Sequence, residues 1–212
     1  MHLSATPAWQ TDRVELFLLE PEHVGAAYVR WLNDPEVMRF LESRFQAHTE
    51  ASSREFVQRC LEDPQVLLLG IRSVATDRQH VGNIKIEQTH PPHRIGDVGI
   101  LIGQREAWGH GIASDAIATL CEIARVQLSL RKLTAGCYES NVGSHKAFAH
   151  AGFVGDGVRR NHFLLDGKPE NVLLMARWLD EAAPDHATSH AFEQLPASRN
   201  KPCASSPPPK RF

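Results

Sequence analysis

A chain of 212 residues, 42% hydrophobic and 23% charged, carries enough apolar material for one folded domain of ordinary size. A formal net charge of -2 gives no general attraction to nucleic acid or to an acidic membrane, and no basic run with interleaved aromatics appears. No apolar stretch approaches the ~20 residues that cross a bilayer, and the polar N-terminus lacks a signal-peptide pattern, so a cytoplasmic chain without membrane or nucleic-acid partners is expected.

After a lead over residues 1–12, the first strand is expected over Val14 to Leu19. Glu20-Pro21-Glu22 places proline near a helix start, and that helix runs toward Trp31. Asn33-Asp34-Pro35-Glu36 breaks it and caps a second short helix, with Asp34 as N-cap. A third helix opens at Thr49 and ends before Asp63-Pro64; Val66 to Ile71, Val81 to Glu87 and Val98 to Ile102 then read as strands. In the next helix Ile112, Ala116, Leu120, Ile123 and Ala124 recur at three- and four-residue spacing, so one apolar stripe faces a sheet. Leu133 to Tyr138 is a strand, Val142 to His150 a helix, and Phe153-Val154 with Val172 to Ala176 close the sheet. The fold class is α/β in the broad sense (α+β), a mixed sheet with helices on both faces over residues 13–180. From about Glu181 the chain turns to Ala, Pro, Ser, His and Asn and cannot bury enough apolar surface to order itself, so residues 181–212 read as a flexible tail.

Cys60, Cys121, Cys137 and Cys203 are scattered without metal-ligand spacing. His90-Pro91-Pro92-His93 is the closest histidine pair, and it has no third ligand at a recognised interval, so no metal is expected. No Gly-x-Ser-x-Gly elbow is present, which removes the usual Ser-His-Asp hydrolase reading.

The chemistry concentrates in Gly103-Gln104-Arg105-Glu106-Ala107-Trp108-Gly109-His110-Gly111-Ile112-Ala113-Ser114, where closely spaced glycines join a strand to an amphipathic helix. Glycines at 109 and 111 permit the φ/ψ values that turn successive N–H groups toward one point, and the helix N-terminus adds partial positive charge. The plain alternative is a turn followed by a helix cap.

This stretch resembles the cradle of the GNAT acetyltransferase superfamily, in the branch with Trp-Gly-x-Gly-Ile/Tyr-Ala/Gly. A second block matches downstream, where Lys132 to Asn141 leads into Val142-Gly143-Ser144-His145-Lys146-Ala147-Phe148 and on to Gly152-Phe153. The likeness spans about Val14 to Leu179. It implies a mostly antiparallel sheet whose two central parallel strands, around Ile100 and Ala135, splay apart to admit acetyl-coenzyme A as co-substrate. Glycines at 96, 99 and 103 are compatible with a bulge there, or with close packing alone. By resemblance the coenzyme is held by Ile100, Leu101 and Ile102, by Arg105, by Trp108, Gly109, His110, Gly111, Ile112 and Ala113, and by Asn141, Ser144, Lys146 and Phe148. The family pattern usually has Gln or Arg where this chain has Glu106, which leaves the holding to backbone and Arg105. Many members carry a Tyr as general acid where Phe148 stands here, and Phe148 cannot donate a proton; Tyr138, His162 or water are the alternatives.

Acyl transfer to an amine needs a group that takes the ammonium proton. Strand alternation puts Asn83, Lys85 and Glu87 on one face, with Ile84 and Ile86 in the core. Glu87 is the leading base. A hairpin across residues 90–93 would set it near Asp97, and two close carboxylates raise one pKa. The plainer reading of this face is an ordinary Lys85 to Glu87 charge pattern. Asn141 and Ser144 complete the expected catalytic set, although Asn141 also suits a helix cap.

Trp31, Asn33, Glu42, Arg44 and Phe45 resemble the segment that builds the acceptor side in the branch of ribosomal-protein N-terminal and amino-sugar acetyltransferases. An aromatic platform with polar donors favours an amino-sugar or a nucleotide-linked amino-sugar. The alternatives are a protein α-amine and a non-catalytic acyl-coenzyme A module. The partner expected is a small-molecule amine, and homodimerisation is compatible with the sequence.

Overall fold

The computed structural model describes residues 9–180, so the expected tail from Glu181 lies outside the described residues. Eight strands form one sheet: β1 (Trp9–Gln10), β2 (Val14–Leu18), β3 (Val66–Ser73), β4 (Gln79–His90), β5 (Ile95–Ile102), β6 (Lys132–Tyr138), β7 (Val154–Leu165) and β8 (Lys168–Trp178). Their order is β1-β2-β3-β4-β5-β6-β8-β7, antiparallel everywhere except between β5 and β6. β1 falls inside the stretch expected to be a lead, pairing Trp9 with Leu16.

Helices α1 (Ala26–Asn33), α2 (Pro35–Met38) and α3 (Glu50–Glu62) cover one face, and α4 (Ile112–Val126) with α5 (Val142–His150) covers the other. The helix expected from Glu20 toward Trp31 is divided: a single 3-10 turn over Pro21–His23 stops at extended Val24, and α1 restarts after Gly25. Asp34 caps α2 through Oδ1, which accepts from Glu36 and Val37 N–H, and Thr49 caps α3 in a box with Ser52. The apolar stripe of α4 is buried, with Ala116, Ile117, Leu120 and Ala124 fully inaccessible against Ile84, Ile86 and Leu133 of the sheet.

Residues 155–171, unassigned in the sequence reading beyond the short closing strands, complete the β7–β8 hairpin. Its two-residue turn is Asp166-Gly167, both at positive φ, in the arrangement that Asp-Gly favours between paired Leu165 and Lys168. That dipeptide was the available signal.

β5 and β6 pair only at Ile95–Lys132, Gly96–Leu133 and Asp97–Thr134. Beyond those rows β5 stays in register with β4 from Asp97 to Ile102, and β6 stays with β8 over its whole length, so the two strands separate. No register shift interrupts β4 and β5 along this stretch; Gly96 and Gly103 serve close packing, whereas a Cβ on Gly99 would meet nothing within 4 Å. A Cβ on Gly96 would meet Ile86 at 2.8 Å, and one on Gly103 would fall 2.1 Å from the Trp31 ring.

Candidate active site

The wedge between the parted strands opens into a cavity of about 620 Å³. Ile100, Leu101 and Ile102 of β5 form one wall, Asn141, Ser144 and Lys146 another, and Trp108, Gly109, Gly111, Ile112 and Ala113 the mouth. Because neither strand has a partner across the wedge, backbone amides and carbonyls on the facing edges are left for a ligand that carries peptide-like groups.

At the mouth, Gly109 and Gly111 both have φ +78°, a conformation that costs any other residue strain. A Cβ on Gly109 would meet no protein atom within 4 Å, so its glycine serves backbone conformation, not packing. Gly111 is the N-cap of α4 and offers no side-chain acceptor, which leaves the first-turn N–H groups unsatisfied by the helix itself. Trp108 Nε1 donates to the Ile102 carbonyl at 2.8 Å and pins the loop to the end of β5. This geometry suits a diphosphate: a concave set of backbone donors with the helix dipole behind it.

Several expected coenzyme residues are placed elsewhere. Arg105 pairs with Glu36 and, at 3.9 Å, with Asp34, and does not line the cavity. His110 and Glu106 are exposed and also stand outside the lining. Phe148 is buried, edge-on to Phe153 at 5.0 Å, because the α5 stripe that includes Ala147 packs inward. Residues of α2 and the loop after it, which sequence reasoning missed, also line it: Glu36, Val37, Arg39, Phe40 and Leu41. Asn141 caps α5, accepting the Ser144 N–H at 3.1 Å through Oδ1, and also lines the cavity.

Glu87 stands opposite Asp97 in the register, at the closed end of the wedge. It is exposed and paired with Lys85 at 2.9 Å, and neither it nor Asp97 lines either cavity. Asp97 is the member of the pair that burial affects. Its Oδ1 accepts from Thr134 Oγ1 at 2.6 Å, and burial pushes its carboxyl above the usual range, with Thr134 and Lys85 opposing and Glu87 adding a smaller push upward. Asp97 and Thr134 form the last paired row, so this carboxylate marks the vertex from which the strands part.

A second cavity of about 370 Å³ is lined by Asn33, Asp34, Met38, Arg39, Arg44, Phe45, Gln46 and Asp166, among others. Arg39 lines both cavities. Of the five expected acceptor residues, Asn33, Arg44 and Phe45 meet here. Trp31 and Glu42 do not: Trp31 is 6% exposed and packs on Gly103 and His80, and Glu42 lies outside the lining. Asn33 is spent on backbone, donating to Val29 and His48 carbonyls and accepting from His48 N–H. Arg44 donates to Glu42, to the Leu41 and Leu164 carbonyls and to the Tyr138 hydroxyl, and lies over the 73% exposed Phe45 ring at 4.2 Å. Tyr138 in turn donates to Glu42, and burial together with that bond raises its phenol pKa. Among the described residues no group of three or more His, Cys, Asp or Glu could hold a metal ion.

Comparison with known proteins agrees with this geometry. A family model described as an acetyltransferase (GNAT) domain matches residues 13–154. An uncharacterized N-acetyltransferase of Bacillus subtilis, YoaA, is 25% identical over 165 residues, covering 77% of this chain and 92% of the relative. Among solved structures, spermidine N-acetyltransferase from Vibrio cholerae, in complex with CoA and spermine, superposes with a TM-score of 0.71 at 18% identity, over 80% of this chain and 97% of that one. RimL, a ribosomal L7/L12 α-N-protein acetyltransferase in complex with coenzyme A, gives 0.70 at 17% identity, over 81% and 96%. These two share the fold, with different acceptors.

Proposed function

Because the chain belongs to the GNAT acetyltransferase family, we propose that it transfers an acetyl group from acetyl-coenzyme A to the primary amine of a small polar molecule, an amino-sugar or nucleotide-linked amino-sugar. The observation that carries the acceptor half is Arg39, which lines both cavities, so a molecule seated in the second cavity can present an amine to the first. That cavity carries two guanidiniums, two carboxylates and an exposed aromatic ring, a neutral mixture suited to a polyol with a planar or cyclic body.

Acetyl-coenzyme A supplies the activated acetyl group as a thioester. Gly109, Gly111, Ile112 and Ala113 would hold its diphosphate by backbone N–H groups, and the free edges of β5 and β6 would take its amides. Asp97, which lines neither cavity, would take the proton of the incoming ammonium through intervening solvent: Thr134 holds Oδ1, which leaves Oδ2 for the proton, and a raised pKa brings the carboxylate closer to the range useful to a base. Burial holds the Cys121 and Cys137 thiols protonated, each pushed up to about 11, which disfavours an acetyl-cysteine relay and supports direct attack by the amine in a ternary complex.

The test is thiol release from acetyl-coenzyme A against amino-sugars, nucleotide-linked amino-sugars, polyamines and peptide amines. Turnover on the sugars at a kcat/KM at least about tenfold above the rest is expected. Preference for peptide amines would transfer the acceptor reading to a protein α-amine. Coenzyme binding without turnover on any amine would leave an acyl-coenzyme A module.

A further inference from the structure

Arg13 lies in the turn between β1 and β2, 102 residues before Asp115 of α4, yet its guanidinium rests against the cradle. A Cβ built on Gly111 would stand 3.5 Å from Arg13 Cζ and 3.6 Å from both Nε and Nη1. Nε donates to Asp115 Oδ2 at 2.8 Å and Nη2 to Oδ1 at 3.2 Å, a two-point grip that fixes the plane of the guanidinium. Thr11 Oγ1 accepts from the Arg13 and Val14 N–H groups at 3.2 and 3.1 Å, which holds the turn in shape. Nη1, beside the cavity-lining Gly111, makes no hydrogen bond to any described residue, and the Arg13 side chain is 61% exposed just outside the cavity lining.

Asp115 sits in the first turn of α4, where its own charge would repel an anion bound at the cradle. The Arg13 fork cancels that charge and leaves one donor edge over. Arg105, the cation the sequence offers nearest the glycines, is engaged by Glu36 and Asp34 instead. We propose that Arg13 is a diphosphate-binding residue of the coenzyme site, held in plane by Asp115, with Nη1 supplying the charged donor that the backbone cradle lacks. This assignment rests on the coenzyme reading of the cradle. A purely structural Arg13 would only clasp the β1–β2 turn to α4, and the two roles separate by ligand.

Isothermal titration of the full chain with CoA, 3′-dephospho-CoA and pantetheine tests it. Arg13→Gln is expected to raise the Kd of CoA and of 3′-dephospho-CoA about tenfold and to leave pantetheine within about twofold, because only the first two carry the diphosphate. The difference should shrink at high salt, where exposed charges are screened. Arg13→Lys, which keeps charge without the fork, should lose about threefold. An equal loss for pantetheine would reduce Arg13 to a clasp. A loss confined to CoA would move the contact to the 3′-phosphate, and unchanged affinity for all three would remove Arg13 from the site; each of these overturns the assignment. Failure of the unsubstituted protein to bind CoA would overturn the coenzyme reading itself, and the assignment with it.

Discussion

Around the donor cavity the working groups are mostly backbone: two glycines at φ +78°, the open first turn of α4 and the bare edges of β5 and β6, drawn from two short stretches of chain. Around the second cavity they are side chains from α2, from the 3-10 turn over Glu42–Phe45 and from the β7–β8 turn, tied by ion pairs such as Arg39–Asp166 at 3.1 Å. Backbone geometry tolerates change in most side chains and suits an invariant co-substrate. A side-chain cavity is re-cut by single substitutions, which suits a variable acceptor. The difference predicts that substitutions divide by the constant they move.

The largest effect is expected at the vertex of the wedge. Asp97→Asn should lower kcat by ~10²-fold, the usual contribution of a positioned base, with the coenzyme Kd nearly unchanged. Stability should move the opposite way. An acid whose folded pKa lies above its unfolded value binds its proton more tightly when folded, so the stability it contributes is full below about pH 4 and is lost as pH rises through the folded pKa. Asp97→Asn should therefore raise Tm at pH 7, and that gain should fade toward pH 4. A full kcat with a lowered Tm would show Asp97 to be a structural group.

Next comes the donor side alone. Gly111→Val puts a β-branched residue at φ +78°, with Arg13 only 3.5 Å from the new Cβ. The coenzyme Kd should rise at least about tenfold, or ~1.4 kcal/mol, while the acceptor KM measured at saturating coenzyme stays put. An unchanged Kd by calorimetry would break the contrast, because the cradle would then not depend on its backbone. On the acceptor side, Arg44→Ala removes the donor shared by Tyr138, Glu42 and two carbonyls. The acceptor KM should rise roughly fivefold with the coenzyme Kd within about twofold, since bonds to a charged group are worth ~1.5–3 kcal/mol and part of the loss falls on folding. Equal losses in both constants would merge the two regions into one.

The same contrast governs how much was legible in the sequence. Glycine spacing, the strand before it and the stripe of α4 are local patterns, and the splay follows from two blocks whose order resembles a known family. The division at Val24–Gly25 was missed because Pro21 signals a helix start without fixing its length, and the β7–β8 hairpin because only its ends were read as strands although Asp166-Gly167 marked the turn. Side-chain direction was the harder quantity. Trp31 and Arg44 belong to one resembling segment, yet Trp31 turns inward onto Gly103 while Arg44 reaches across to Leu164, 120 residues away. Arg39 and Phe40 carry no local signal, since their importance comes from where α2 is set down on the sheet.

The smallest effect is expected at Glu87, the residue that strand alternation and its nearness to Asp97 recommended as base. The alternation holds and the register does set the two carboxylates opposite each other, but the pair sits at the closed end of the wedge and only Asp97 is drawn into low-dielectric surroundings. Glu87 lies at the surface against Lys85, an arrangement worth at most about 1 kcal/mol. Glu87→Gln should change kcat by less than about threefold and leave the acidic limb of the pH-rate profile nearly in place. Its removal takes away only a minor upward push on the Asp97 carboxyl, so any displacement of that limb should be slight and toward lower pH. A ~10²-fold loss in kcat, with the limb abolished, would return the base to Glu87.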